Sequence, residues 1–211
     1  MIRCLDIHTH HPAPRPLAVV NADFMDFHPM EGQLYSVGIH PWTTIEEPTR
    51  EMWETLESAA SLPCVVAIGE CGVDKVKGGL MFRQLLVMQR QIKLSEQLRK
   101  PLIIHDVKAH DIIVGLRRDM KPTQNWVVHG FRGKPTVAKM LTDAGIYLSF
   151  GEKFNPDALK ITPRELILAE TDESPLSIEA IIETLSINRG EIMMPVIEAN
   201  TDRFLSPVSH L

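Results

Sequence analysis

The sequence predicts an abridged (β/α)8 barrel, and three observations carry that prediction. Eight short apolar runs alternate with helix-like stretches along 211 residues. The runs are nearly continuous in aliphatic residues, the pattern of parallel strands buried on both faces. Several of them lead into a residue able to hold a metal ion, and barrel enzymes carry their chemistry at the carboxyl ends of the strands.

The first expected strand, Arg3–Ile7, runs straight into His8-Thr9-His10. Strand side chains alternate faces, so these two imidazoles point the same way. The segment Pro12–Pro16 is too short and too proline-rich for a helix, so the first crossover helix is expected to be missing. Leu17–Asn21 is the second strand, and the next crossover, Ala22–Gln33, is also lean. Leu34–Gly38 is the third, followed by His40 in the run GIHPW. A helix over Glu47–Ala60 opens at Pro48 and carries Met52, Leu56, Ala59 and Ala60 on one stripe. The fourth strand, Cys64–Gly69, delivers Glu70, and Leu80–Leu98 repeats apolar residues at spacings of three and four. Leu102–His105 and Trp126–His129 each end on a histidine. Helices over His110–Asp119 and Pro135–Ala144 follow them, the second with proline in its first turn. Ile146–Phe150 and Leu166–Ala169 complete the strands, the last leading to Glu170 and Asp172. Helices over Ser177–Ser186 and Met194–Phe204 close the chain.

A single domain over residues 1–211 is expected, because 44% hydrophobic content supports one sizeable core. The length falls below the ~250 residues usual for this fold, which fits a pared-down barrel. The net charge of −5 gives no general attraction for nucleic acid or an acidic membrane. Cys4, Cys64 and Cys71 form an odd set without CxxC spacing, each in or beside an apolar run, so they read as buried thiols in a reducing compartment. No leader-like segment and no run near the ~18–20 apolar residues of a membrane span is readable, so a cytoplasmic protein is expected. No coiled-coil seam marks an obligate protein partner, and a monomer or weak oligomer is expected.

Of nine histidines, His8, His10, His105 and His129 share a position at strand ends. Glu70 and Asp172 add the negative charge that a pair of divalent cations requires. Two metals ~3.5–4 Å apart need bridging oxygen ligands, which carboxylates supply and imidazoles do not. Glu70, at the end of VVAIGE, would be costly to bury unless paired or metal-bound. His28, His110 and His210 read as ordinary structural histidines. Glu170 shares the face of Asp172 and reads as its support, while Asp74 reads as a cap or loop organiser.

The ordered runs DIHTH, GIHPW, AIGECGVD, PLIIHD, VVHGFRG, YLSFG and LAETDESP, with the terminal NTDRF, resemble the TatD-like metal-dependent hydrolases. That family is a branch of the amidohydrolase superfamily, and the resemblance covers nearly the whole chain. It implies a metal-binding (β/α)8 barrel. It also implies one metal held by His8, His10, Glu70 and Asp172, with Glu70 shared with a second ion completed by His105 and His129. Asp172 would then deprotonate a metal-activated water for attack on a phosphoester bond, as in a deoxyribonuclease. Mixed imidazole and carboxylate ligation favours Zn or Mn over Mg.

The flanking residues depart from the family's usual pattern. Gly130, Phe131, Arg132 and Gly133 stand where Cys-Phe-Ser-Gly is common, and Asp106-Val107 replaces a Ser-Arg pair. Arg132, Lys134 and Lys75 follow strand ends and are candidate phosphate grips, with His40 as a candidate substrate contact. Two other readings stay open beside a phosphoesterase or nuclease. One is an amide or lactone hydrolase, and the other is a catalytically decayed member that keeps its metal.

Overall fold

The computed structural model describes residues 4–11 and 18–206. Eight strands run in chain order: β1 (Asp6–Thr9), β2 (Ala18–Asn21), β3 (Leu34–Val37), β4 (Val65–Asp74), β5 (Leu102–Val107), β6 (Trp126–Val128), β7 (Tyr147–Phe150) and β8 (Ile167–Ala169). Each pairs in parallel with the next, so spatial order equals sequence order. The sheet closes through Thr9 and Asp172, which form a parallel bridge. Asp172 N donates to His8 O at 2.9 Å, and His10 N donates to Asp172 O at 3.1 Å. The expected barrel is present.

Among the described residues, seven α-helices accompany the strands: α1 (Arg50–Ala60), α2 (Met81–Leu98), α3 (His110–Met120), α4 (Pro135–Asp143), α5 (Pro156–Ile161), α6 (Ile178–Arg189) and α7 (Met194–Leu205). The stretch Pro12–Pro16, expected to lack a helix, lies outside the described residues, as does His210. The second crossover holds only a one-turn 3-10 helix, Phe24–Asp26, as its lean sequence implied. α1 starts three residues later than Glu47, because Thr49 caps it by accepting from Met52 N. α5 was not foreseen, although Asn155 caps its first turn and Pro156 pre-sets its backbone. Among the described residues no helix is long and apolar enough to cross a membrane.

Two cores result from the alternation of strand side chains. Ile7, Val19, Leu34, Ala67, Ile103, Val127, Tyr147 and Leu168 form one buried set with Phe204 of α7. Each of the eight strands contributes one of these residues, which is how a barrel interior fills. The residues facing the other way, among them Val37, Ile68, Ile104 and Leu148, pack against Leu56, Met88, Ile113, Leu141 and Ile181 of the helices. Cys4 and Cys71 are buried free thiols, as expected, while Cys64 is only partly buried.

β4 continues to Asp74, five residues past its expected end, and β5 continues past His105 to Val107. Glu70 and His105 therefore sit inside the sheet rather than in loops. Gly72 makes this close pairing possible. A Cβ there would lie 2.0 Å from His105 O, and the residue holds φ +150°.

Candidate metal centre

Glu70 stands at the middle of the mouth of the barrel, and its two oxygens face different imidazoles. Oε2 lies 3.6 Å from His8 Nε2 and 3.7 Å from His10 Nε2. Oε1 lies 2.7 Å from His105 Nδ1, 2.8 Å from His129 Nε2 and 3.1 Å from His40 Nε2. Asp172 completes the first side, its Oδ1 3.8 Å from His8 Nε2 and 3.7 Å from His10 Nε2. Asp172 holds φ +54°, a left-handed conformation uncommon for a residue with a Cβ. The backbone bonds that close the barrel on His8 and His10 lock it there.

The residues fit a metal by their donors and by their unmet hydrogen bonds. Among the described residues, four groups of three side chains bring ligand atoms within 4.8 Å of one another. They are His8–His10–Asp172, His8–Glu70–His129, His40–Glu70–His105 and His129–Glu170–Asp172. His8 is fully buried, yet neither ring nitrogen has a hydrogen-bond partner. A buried polar atom without a partner costs ~1–3 kcal/mol, and coordination through the ring nitrogen removes much of that cost.

Electrostatics agree with this reading at Glu70 and His8. Burial works to raise the Glu70 carboxyl, but the charge of His129 and hydrogen bonding by the surrounding imidazoles outweigh it and hold Glu70 well below the carboxylate range. Burial and the neighbouring His129 push His8 well below the ordinary imidazole value, which keeps it a neutral ligand. Burial opposes a charge on His129, but Glu70 and Glu170 prevail and raise it well above that value.

A set of fixed polar groups orients the cluster. Asn21 Oδ1 accepts from Glu70 N at 2.9 Å. Asp6 accepts from Thr171 N at 3.0 Å and Thr171 Oγ1 at 2.6 Å, tying β1 to the segment that carries Asp172. Burial pushes the Asp6 carboxyl up to about 7, against those hydrogen bonds. Asp74 organises its own loop by accepting from Val76 N and Lys77 N, the role its place in the sequence implied. It also accepts from Trp42 Nε1 at 2.7 Å and faces His105 Nε2 at 3.3 Å, which sequence reasoning missed.

Comparison with known proteins decides the lineage of this centre. A family model described as TatD related DNase matches residues 28–190. The chain belongs to the TatD-related DNase family. It is 33% identical to an "Uncharacterized metal-dependent hydrolase" of Buchnera aphidicola over 153 residues, 68% of this chain and 57% of that protein. It is 29% identical to a "Putative deoxyribonuclease TATDN1 homolog" of Enterocytozoon bieneusi over 157 residues, 68% of this chain and 56% of that protein. The chain thus spans a little over half the length of both relatives. The crystal structure of the TatD homologue YjjV from Escherichia coli superposes with a TM-score of 0.81 at 21% identity. That match covers 96% of this chain and 98% of the other, and it fixes the fold.

Beside the TatD-type cluster opens a cleft of about 670 Å³, lined by Trp42, His105, Lys108, His110, Arg132 and Asp172 among others. Arg132 is therefore at the cleft, as its position after a strand implied, and it also lines a neighbouring hollow with Glu170 and Ser174. Lys75 does not line the cleft, because its Nζ pairs with Asp111 Oδ1 at 2.8 Å. Lys134 is exposed and absent from the lining as well. His40 joins the cluster itself rather than an outer wall. His28 pairs with Asp26 on the surface, in keeping with its structural reading. His110 breaks with its structural reading by lining the cleft. The signal lay in HDVKAH, where Asp106 and His110 are four residues apart and can meet across one turn.

Proposed function

We propose that this protein is a divalent-metal-dependent hydrolase acting on phosphoester bonds, in the manner of a deoxyribonuclease. The observation that carries this reading is Glu70, whose Oε1 and Oε2 each face a separate set of imidazoles. His8, His10, Glu70 Oε2 and Asp172 would hold one ion, and Glu70 Oε1, His105 and His129 a second. His40 Nε2, 3.1 Å from the same Oε1, borders the second position. The donor set of imidazole nitrogen and carboxylate oxygen favours zinc or manganese. When bound, such ions lower the pKa of a coordinated water and polarise the bond under attack.

The chain's own groups divide the remaining work. Asp172 is partly exposed to the cleft and takes the proton of the attacking water. Arg132 is exposed on the cleft wall, where its guanidinium can steady a phosphate oxygen. The names of the relatives, metal-dependent hydrolase and putative deoxyribonuclease, support the same class. The expected cytoplasmic setting with reduced thiols suits it.

The test is hydrolysis of a phosphodiester dye, single-stranded DNA and N-acyl amino acids after chelation and after return of Zn or Mn. Activity on the phosphodiesters alone, lost with chelator and regained with metal, is expected. Asp172→Asn should lower it by at least ~10²-fold with circular dichroism unchanged. Turnover of N-acyl amino acids alone would move the protein to the amide hydrolases, and indifference to chelator would end the metal reading.

A further inference from the structure

Hydrolysis of an ester of an ordinary alcohol needs two proton transfers, one from water and one to the departing oxygen. Asp172 handles the first. We propose that His110, held by Asp106, supplies the second by donating a proton to the leaving oxygen, an assignment that rests on the hydrolase reading above.

β5 carries His105 to the cluster, and the next residue, Asp106, begins the device. The Asp106 side chain is fully buried. Its Oδ1 accepts from Ala109 N at 3.0 Å, which sets the start of α3. Its Oδ2 lies 2.5 Å from Nδ1 of His110, the first residue of that helix. Nδ1 is thereby committed to Asp106, and Nε2 has no partner among the described residues. The ring is 28% exposed and lines the same cleft as His105, His129 and Asp172. A carboxylate that fixes one imidazole nitrogen while the other faces a substrate cleft is the arrangement of a proton-transfer histidine.

The other cleft-lining groups do not fit the task. His105 and His129 are turned onto Glu70. Arg132 and Lys108 are cationic hydrogen-bond donors suited to hold a phosphate oxygen. His110 sits among Asp106, Asp111 and Lys75. The hydrogen bond to Asp106 raises its imidazole above the ordinary value, against burial and the charge of Lys75. The Asp106 carboxylate thus favours the charged imidazolium, the form that carries a proton on Nε2 to give.

The step balances as follows. The water oxygen forms its bond to phosphorus as its proton passes to Asp172. The bond from phosphorus to the ester oxygen breaks, and its electron pair stays on that oxygen, which takes the proton from His110 Nε2. The products are a phosphomonoester and an alcohol. Solvent returns a proton to His110 and removes one from Asp172.

The test compares two thymidine phosphodiesters with the zinc- or manganese-loaded full chain and its His110→Ala variant. One substrate releases p-nitrophenol, a good leaving group that needs no proton. The other is the dinucleotide thymidylyl-thymidine, whose departing oxygen does need one. His110→Ala should lower kcat on the dinucleotide by about 10²-fold and on the p-nitrophenyl ester by no more than about threefold. Asp106→Asn, which keeps the shape and removes the charge, should show the same selectivity at smaller amplitude. It stands in if His110→Ala fails to fold. Equal losses on both substrates would mean that the pair serves only to start α3, and no loss on either would remove His110 from the reaction. Failure of the wild type on both substrates would instead overturn the hydrolase reading, and this assignment with it.

Discussion

His105 and His129 meet Glu70 Oε1 through opposite ring nitrogens, and a second carboxylate stands behind each. His105 uses Nδ1 toward Glu70 and turns Nε2 to Asp74 at 3.3 Å. His129 uses Nε2 toward Glu70 and turns Nδ1 to Glu170 at 3.4 Å. An imidazole binds a metal through its unprotonated nitrogen, so the group on the far side decides which nitrogen that is. Asp74 is held in place by Trp42 and two backbone amides, so it cannot turn away from His105. Asp74→Asn should therefore weaken zinc binding by about 10- to 100-fold at one of two positions, read by calorimetry on the metal-free protein. An unchanged affinity would leave Asp74 as a loop organiser only. Glu170 follows the same logic, and its place two residues before Asp172 in the sequence pointed to that support.

At the scale of elements, the amino ends of the strands are held by contacts away from the chemistry. Glu96 on α2 accepts from Thr123 N, Thr123 Oγ1 and Gln124 N, and so fixes the turn that feeds β6 and His129. Burial works to raise the Glu96 carboxyl, but those hydrogen bonds win and lower it below its ordinary 4.5. A carboxyl lowered on folding stabilises the native state above its unfolded value, and that stability is lost as pH falls through the folded value. Glu96→Gln should thus cost about 1–2 kcal/mol at neutral pH in urea unfolding, and the gap should narrow below pH 4.5. A gap independent of pH would contradict a charged Glu96.

The elements also divide into legible and illegible ones for physical reasons. All eight strands were readable because burial on both faces demands unbroken aliphatic runs, such as PLII and NWVV. The residues of the cluster were readable because they sit at or just beyond the ends of those runs. The continuation of β4 through Glu-Cys-Gly-Val-Asp was not, since its polar residues face a site rather than a core. α5 is a short six-residue helix, below the length at which apolar periodicity repeats. The fate of Lys75 was also beyond local reading, because its partner Asp111 lies 36 residues away and meets it only in the folded barrel.

For the whole molecule, the closing helix does what the strand count alone leaves undone. A barrel has two open ends. The carboxyl end carries the cluster, and α7 packs against the interior core. Phe204 is fully buried with Ile7, Val19, Ile103 and Tyr147, its ring 5.4 Å from that of Tyr147. Asn200 Nδ2 donates to Arg164 O and Ile167 O, both at 2.8 Å, and Asn125 Nδ2 donates to Arg203 O and Phe204 O. Three residues of the NTDRF run, Asn200, Arg203 and Phe204, thereby staple the helix to the entry of β6 and β8. None of them lines the cleft. Phe204→Ala removes a ring from the middle of the interior core and should cost about 3–5 kcal/mol. The expected result is a Tm lower by several degrees, with kcat per folded molecule and metal stoichiometry unchanged below the transition. A variant that keeps its Tm but loses turnover would contradict this division of labour, and would mean that the interior packing under Phe204 sets the geometry of Glu70.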